Sequence, residues 1–286
     1  MSNTAKSLPT PAMPVSPKLL VLLACWAIAF LPIIPEMVTA WLNNNNNSHG
    51  LLVPLISLFL IYKRKDELRN IPRASLKIGG LILAVSLTIY IVAFLGAVAV
   101  VSRLMMVTSL IGLILYVFGD KVFRQIRFPV LLLFFMVPVP ESIYSLAAFP
   151  LQLFATKVST ALVQAMGIPA YREGNIVYFL HAQLEVAEAC SGLRSMMAFL
   201  TLSVLLAHAL TNRGRIRAAI LVLSTVPLAI GVNIIRVTGT GILAHIYGDK
   251  VAQGFLHEFS GLFVFILGFI LLACEFFLLN KVNRVN

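Results

Sequence analysis

The segment Glu188-Ala189-Cys190-Ser191-Gly192-Leu193-Arg194-Ser195 sets a thiol, a small flexible step and an arginine at the mouth of an apolar helix. A cysteine that opens a helix meets unsatisfied backbone N–H groups and the positive end of the helix dipole, and both favour the thiolate below its usual pKa of about 8.5. Arg194, four residues on, shares that helix face and acts in the same direction. The plain alternative is a buried thiol beside an interfacial arginine, which the general burial of free cysteine favours for a lone residue. Two further residues shift the balance. Arg236 stands in Val232-Asn233-Ile234-Ile235-Arg236 at the outer end of an apolar span, with Asn233 on nearly the same face. A charge near hydrocarbon is costly, so Arg236 should face the bundle interior and meet a partner; the alternative is snorkelling to the headgroups. His257, in Leu256-His257-Glu258-Phe259-Ser260-Gly261, stands at the entrance of the last apolar stretch, where a solvated loop histidine is the plain alternative. Three such groups on three helices at one membrane surface are what a nucleophile, an oxyanion stabiliser and a base require.

The elements that must position them follow from composition. Of 286 residues 59% are apolar and 12% charged, with mean hydropathy +0.94. A soluble core cannot hide that much apolar side chain, so several segments face lipid. The net charge of +11 would suit nucleic acid only if the basic residues gathered on one soluble face. They fall instead into short runs between apolar stretches, at Lys6 and Lys18, Lys63 to Lys77, Lys121 to Arg127, Arg213 to Arg217, and Lys281 with Arg284. Nucleic acid is therefore not expected as a partner, and the positive-inside rule makes the side these runs mark the cytoplasm.

Apolar runs predict spans at 19–41, 51–62, 78–100, 104–118, 128–146, 190–210, 216–235 and 260–280. The expected fold is an all-α polytopic membrane protein of about eight transmembrane helices, with a small periplasmic hairpin and an interfacial helix inserted. The run 51–62 is short for a straight span, so its outer end should begin in structure around Ser48-His49-Gly50. Span 128–146 is weakened by Pro138 and Pro140, each without a backbone donor. Residues 148–166 carry Gln152, Lys157 and Gln164 among apolar neighbours and read as a helix along the interface. After Gly174-Asn175, the strand-type residues Ile176 to Leu180 and Leu184 to Val186 flank a short polar link and predict a hairpin that delivers the chain to Cys190. The organisation is thus a cytoplasmic tail, 1–18, and a transmembrane domain, 19–286, with a periplasmic insertion at about 147–189 and catalytic helices at about 190–280.

The Ser-, Pro- and Thr-rich tail lacks a small-residue cleavage site, so the first span reads as a retained helix. Asn43 to Asn47 is low complexity and reads as a solvated loop. Three cysteines make no disulfide framework, and Cys25 and Cys274, inside spans, read as small apolar residues. His208 and His245 read as packing or interfacial residues, and His181 belongs to the hairpin. No dense Cys/His cluster implies a metal, no cofactor motif is present, and no internal repeat suggests a two-halved transporter.

Taken in order, Glu188 to Ser195, then Asn233 to Arg236, then His257 to Gly261, together with Ser48-His49-Gly50 and Arg172-Glu173-Gly174-Asn175, this chain resembles the exosortase family. These are bacterial membrane transpeptidases, related to archaeosortases and functionally analogous to the unrelated sortases. The resemblance implies Cys190 as nucleophile, Arg236 as essential arginine and His257 as essential histidine. Arg194, Glu188 and Asn233 would support them, and His49 matches the family without an assignable step. It also implies substrates: exported proteins with a C-terminal Pro-Glu-Pro motif, a transmembrane helix and a basic cluster, cleaved at the periplasmic face of the inner membrane. Membrane lipids would be the other partner.

The expected chemistry is attack of Cys190 on a backbone carbonyl to form a thioester. His257 acts as base, or as imidazolium partner of a thiolate, Arg236 stabilises the oxyanion, and a cell-surface acceptor resolves the thioester. A zinc protease is disfavoured because His257-Glu258 lacks the second histidine of H-E-x-x-H, and no G-x-S-x-G is present. The non-enzyme alternative, a polytopic transporter or a membrane subunit of exopolysaccharide export, would place its polar residues near the midplane rather than at one face.

Overall fold

The computed structural model describes residues 17–72, 74–180, 182–186, 192–211, 214–248 and 255–281; His181, Glu188 and Cys190 lie outside them. The chain divides into two compact units, Met1–Ala40 with Gly50–Pro138, and Trp41–His49 with Val139–Asn286.

In the first unit α1 (Pro17–Phe30) runs through a 3-10 turn at Leu31–Ile33 into α2 (Ile34–Asn43). Pro32 opens the 3-10 turn, where a missing N–H costs nothing. After a second 3-10 stretch, Asn45–Leu51, come α3 (Leu52–Lys63) and the short α4 (Lys65–Arg69). The asparagine run is therefore not a solvated loop throughout: it ends α2 and starts the 3-10 stretch, with Asn47 buried. Helices α5 (Lys77–Leu95) and α6 (Ala99–Leu132) pack backbone to backbone. Gly79 and Gly112 allow this, since a Cβ on Gly112 would sit 2.6 Å from the Leu83 nitrogen.

The expected spans 104–118 and 128–146 resolve differently. α6 continues through both to Leu132, interrupted at Gly119, whose φ of 82° only glycine adopts freely. A 3-10 turn at Leu133–Met136 and the extended stretch holding Pro138 and Pro140 then stop the helix, because proline cannot donate to the preceding turn.

In the second unit α7 runs from Glu141 to Ala165, so residues 148–166, expected along the interface, belong to a helix long and apolar enough to cross. It packs on α9 (Arg215–Tyr247) through a small-residue stripe, with Ala155, Thr156, Ser159 and Thr160 buried. Between them come β1 (Tyr171–Glu173), β2 (Ile176–Tyr178) and β3 (Gln183–Glu185), an antiparallel sheet in that order, followed by α8 (Gly192–Leu210); α10 (Phe255–Lys281) comes last. Three strands stand where a two-stranded hairpin was expected. Gly174, at φ 61°, makes the tight β1–β2 link.

Among the described residues six stretches are long and apolar enough to cross a membrane, against about eight expected: Leu20–Asn43, Lys77–Leu95, Ala99–Met136, Glu141–Ala165, Arg215–Tyr247 and Gly261–Lys281. Met196–Leu210 is a shorter apolar helix. Large apolar side chains stand exposed along them, such as Leu95 at 80% and Leu223 at 72%. Only lipid can cover so much, and the molecule is a multi-pass helical membrane protein. Cys25 and Cys274 are exposed on such helices rather than packed within.

Candidate active site

Helices α8, α9 and α10 form the bundle that carries the predicted residues. At one end Leu206 and Leu210 of α8, Ala218 and Leu221 of α9, and Leu272 and Phe276 of α10 share an apolar cluster. Further along, Phe199 of α8, fully buried, stacks on Phe265 of α10 with ring centroids 5.4 Å apart and covers Gly268. Residues rising along α8 thus meet residues rising along α10, so the two helices run parallel with α9 antiparallel to both. Both α8 and α10 therefore begin at the same end. Counting back from the Phe199 contact at about 1.5 Å per residue, Gly192 at the start of α8 is level with residues 258–261 of α10.

Arg236 reaches the same level from α9. The helix continues to Tyr247, so Arg236 lies inside it rather than at its outer end, 5% exposed. Its guanidinium packs against Gly261: a Cβ there would lie 3.5 Å from Nη2 and 3.8 Å from Cζ. The absence of a side chain at Gly261 leaves room for the planar group. Gly261 stands one helical turn, about 6 Å, beyond His257, the third residue of α10. Asn233, 8% exposed and three residues before Arg236, shares its buried face of α9.

The sheet braces this helix from outside. Val177, Leu184 and Val186 bury against Val237, the residue after Arg236, while Phe179 covers Gly241. The C-terminal end of α7 reaches the same sheet, and its Ser159 hydroxyl donates to the Ile234 carbonyl at 3.3 Å. Sequence reasoning had no reason to select Ser159 or Gly261. The glycine was nonetheless within reach, as the last residue of the His257 motif spaced one turn from the histidine.

Of the remaining expected residues, Arg194 is the third residue of α8, Glu188 and Cys190 lie outside the described residues, and His49 is half-buried in the Asn45–Leu51 turn. A buried arginine meeting the entry of one helix at the level where another begins can hold an anionic intermediate formed there.

Comparison with curated proteins and with solved structures finds no match. The family model of the transmembrane exosortases matches residues 41–274, which include the sheet, Arg236 and His257. The chain belongs to the transmembrane exosortase family.

Proposed function

We propose that this exosortase is a cysteine transpeptidase that cleaves the C-terminal sorting signal of exported proteins at the periplasmic membrane face. The observation that carries the reading is the burial of the Arg236 guanidinium against Gly261, one turn from His257. Chain connectivity supports Cys190 as its partner. Cys190 follows Val186 by four residues and precedes Gly192 by two, so its Cα is within about 14 Å of the first and about 7 Å of the second. Val186 packs in the cluster of Val237, the residue after Arg236, and Gly192 is level with residues 258–261 of α10. The outward side is supported by charge, since α9 begins at Arg215 and Arg217 and meets the sheet at its far end.

In the proposed reaction His257 takes the proton of the Cys190 thiol as its sulfur adds to the scissile carbonyl, and the oxyanion is held by Arg236. The C–N bond then breaks as His257 returns the proton to the leaving amine, leaving a thioester on Cys190. An acceptor nucleophile on the cell surface attacks the thioester, gives its proton to His257 and displaces the thiolate. Arg194, Glu188 and Asn233 orient these groups. The substrate is an exported protein ending in a Pro-Glu-Pro motif, an apolar helix and a basic cluster.

The test is co-expression with an exported reporter carrying such a tail, comparing wild type with Cys190→Ser by reporter mass. Tail removal by wild type alone supports the reading, and the new terminus identifies the acceptor. Equal cleavage by Cys190→Ser ends it.

A further inference from the structure

A trough of about 600 Å³ opens on the second unit where the end of α7 meets the sheet. Its walls are Pro169, Tyr171, Tyr178, Phe179 and Leu180, with Gln164 at the rim. No charged side chain lines it among the described residues. Tyr171 and Tyr178 are directly cross-strand, their ring centroids 6.3 Å apart. The Gln164 side chain donates to the Ala170 carbonyl at 2.8 Å and ties the loop to α7, so the walls are fixed. Tyr171 and Leu180 are each about two-thirds exposed, at 65% and 66%. Core packing does not place large apolar groups in this way, and a binding wall does.

We infer that this trough holds an extended, proline-containing segment of the substrate polypeptide on its way to Cys190; the inference rests on the transpeptidase reading above. Three observations select that occupant. Family membership implies protein substrates with sorting signals. Aromatic walls match the polyproline II conformation, which brings rigid apolar ridges and little ordering entropy. The trough also adjoins the stretch of α9 that holds Arg236: Phe179, one of its walls, packs against the cluster that contains Val237, the residue after Arg236, and β3 carries the chain from there to Val186 in the same cluster.

The geometry sets a register. An extended chain advances about 3.3 Å per residue, so a segment seated roughly 10–20 Å from Arg236, as the packing of Phe179 near Val237 allows, lies about three to six residues from the bond cut. Tyr171, Tyr178 and Leu180 are thus specificity residues that touch substrate away from the reacting atoms.

The experiment uses full-length protein in proteoliposomes with the Pro-Glu-Pro reporter and a photoreactive phenylalanine at Leu180, in a Cys190→Ala background that captures substrate without turnover. The expected result is a crosslink to the reporter, within the segment three to six residues from the scissile bond, lost when its prolines become alanines. In the Cys190-containing enzyme, Tyr171→Ala with Tyr178→Ala raises KM about tenfold or more and leaves kcat within about twofold. Crosslinking to lipid alone, crosslinking at a distant segment, or an unchanged KM in a correctly folded double variant overturns the inference. Cleavage by Cys190→Ala with the crosslink intact would instead refute the transpeptidase reading and leave the trough standing.

Discussion

Each unit holds an arginine within an apolar helix, Arg103 partly and Arg236 fully buried, and their surroundings differ. Arg103 of α6 donates to Glu36 of α2 at 3.2 Å, a carboxylate that is itself 68% exposed. Arg236 of α9 packs against Gly261, on the same helix face as Asn233, at the level where α8 begins and one turn from His257 in α10. An arginine kept for structure is served by one counter-ion at an aqueous edge. Arg236 instead packs against a glycine, which leaves room on that side for the oxyanion of the proposed reaction.

Substituting the two arginines is the sharpest way to break that comparison. Arg236→Lys should lower kcat about 100- to 1000-fold, since lysine cannot present the planar fork, while thermal unfolding in detergent stays near wild type. Arg103→Met should do the reverse in kind. Activity is kept within a few fold, and stability changes by no more than about 1 kcal/mol, because an ion pair with a largely exposed partner contributes little. Reporter cleavage and a melting curve on each variant check both, and equal activity losses would dissolve the distinction.

The glycines sharpen it next. Gly112→Ala puts a Cβ 2.6 Å from the Leu83 nitrogen and 2.9 Å from the Gly79 carbonyl, where only backbone movement can relieve the clash. It should cost about 3 kcal/mol or more in a denaturant titration, and α5 should separate from α6. Gly261→Ala meets the guanidinium only at ordinary contact distance, so activity within about threefold of wild type is expected. Gly261→Leu, which must push the guanidinium aside, should lose about 100-fold in kcat with the fold retained. Gly268→Ala falls between them. Its methyl strikes the Phe199 ring, a side chain able to shift, and about 1–3 kcal/mol is lost, partly recovered by Phe199→Leu.

These glycines also mark how far the sequence could be read. Hydropathy located most of the helices because burial in lipid demands it. The exosortase resemblance selected Arg236 and His257 by motif. Helix ends were harder. Gly119 interrupts α6 by a dihedral choice that leaves no hydropathy signal, and the apolar stretch after Arg236 hid the continuation of α9 to Tyr247. Pro138 and Pro140 did register as a weakness, but their consequence was placed inside one span rather than between two helices. β1 was overlooked because three residues ending in Arg172 and Glu173 carry no apolar alternation, and only pairing with β2 makes them a strand. The role of Gly261 is invisible for a related reason. A missing side chain acquires meaning only when the neighbour that fills its place is known.

The smallest expected effect concerns how α7 steadies the catalytic stretch of α9. Ser159 donates to the Ile234 carbonyl, the acceptor that the Thr238 hydroxyl, four residues further along α9, would ordinarily use. Thr238 Oγ1 is accordingly buried with no hydrogen-bond partner among the described residues. Ser159→Ala should therefore cost little, under about 1 kcal/mol, because Thr238 can rotate onto the vacated carbonyl. Thr238→Val should be neutral or slightly stabilising, since it removes an unsatisfied hydroxyl. The double variant leaves Ile234 without either donor, and its cost should exceed the sum of the single effects by about 0.5–1 kcal/mol in a double-mutant cycle. Strict additivity would mean that the two hydroxyls do not compete. The helix–helix bond from α7 would then not govern the backbone two residues from Arg236.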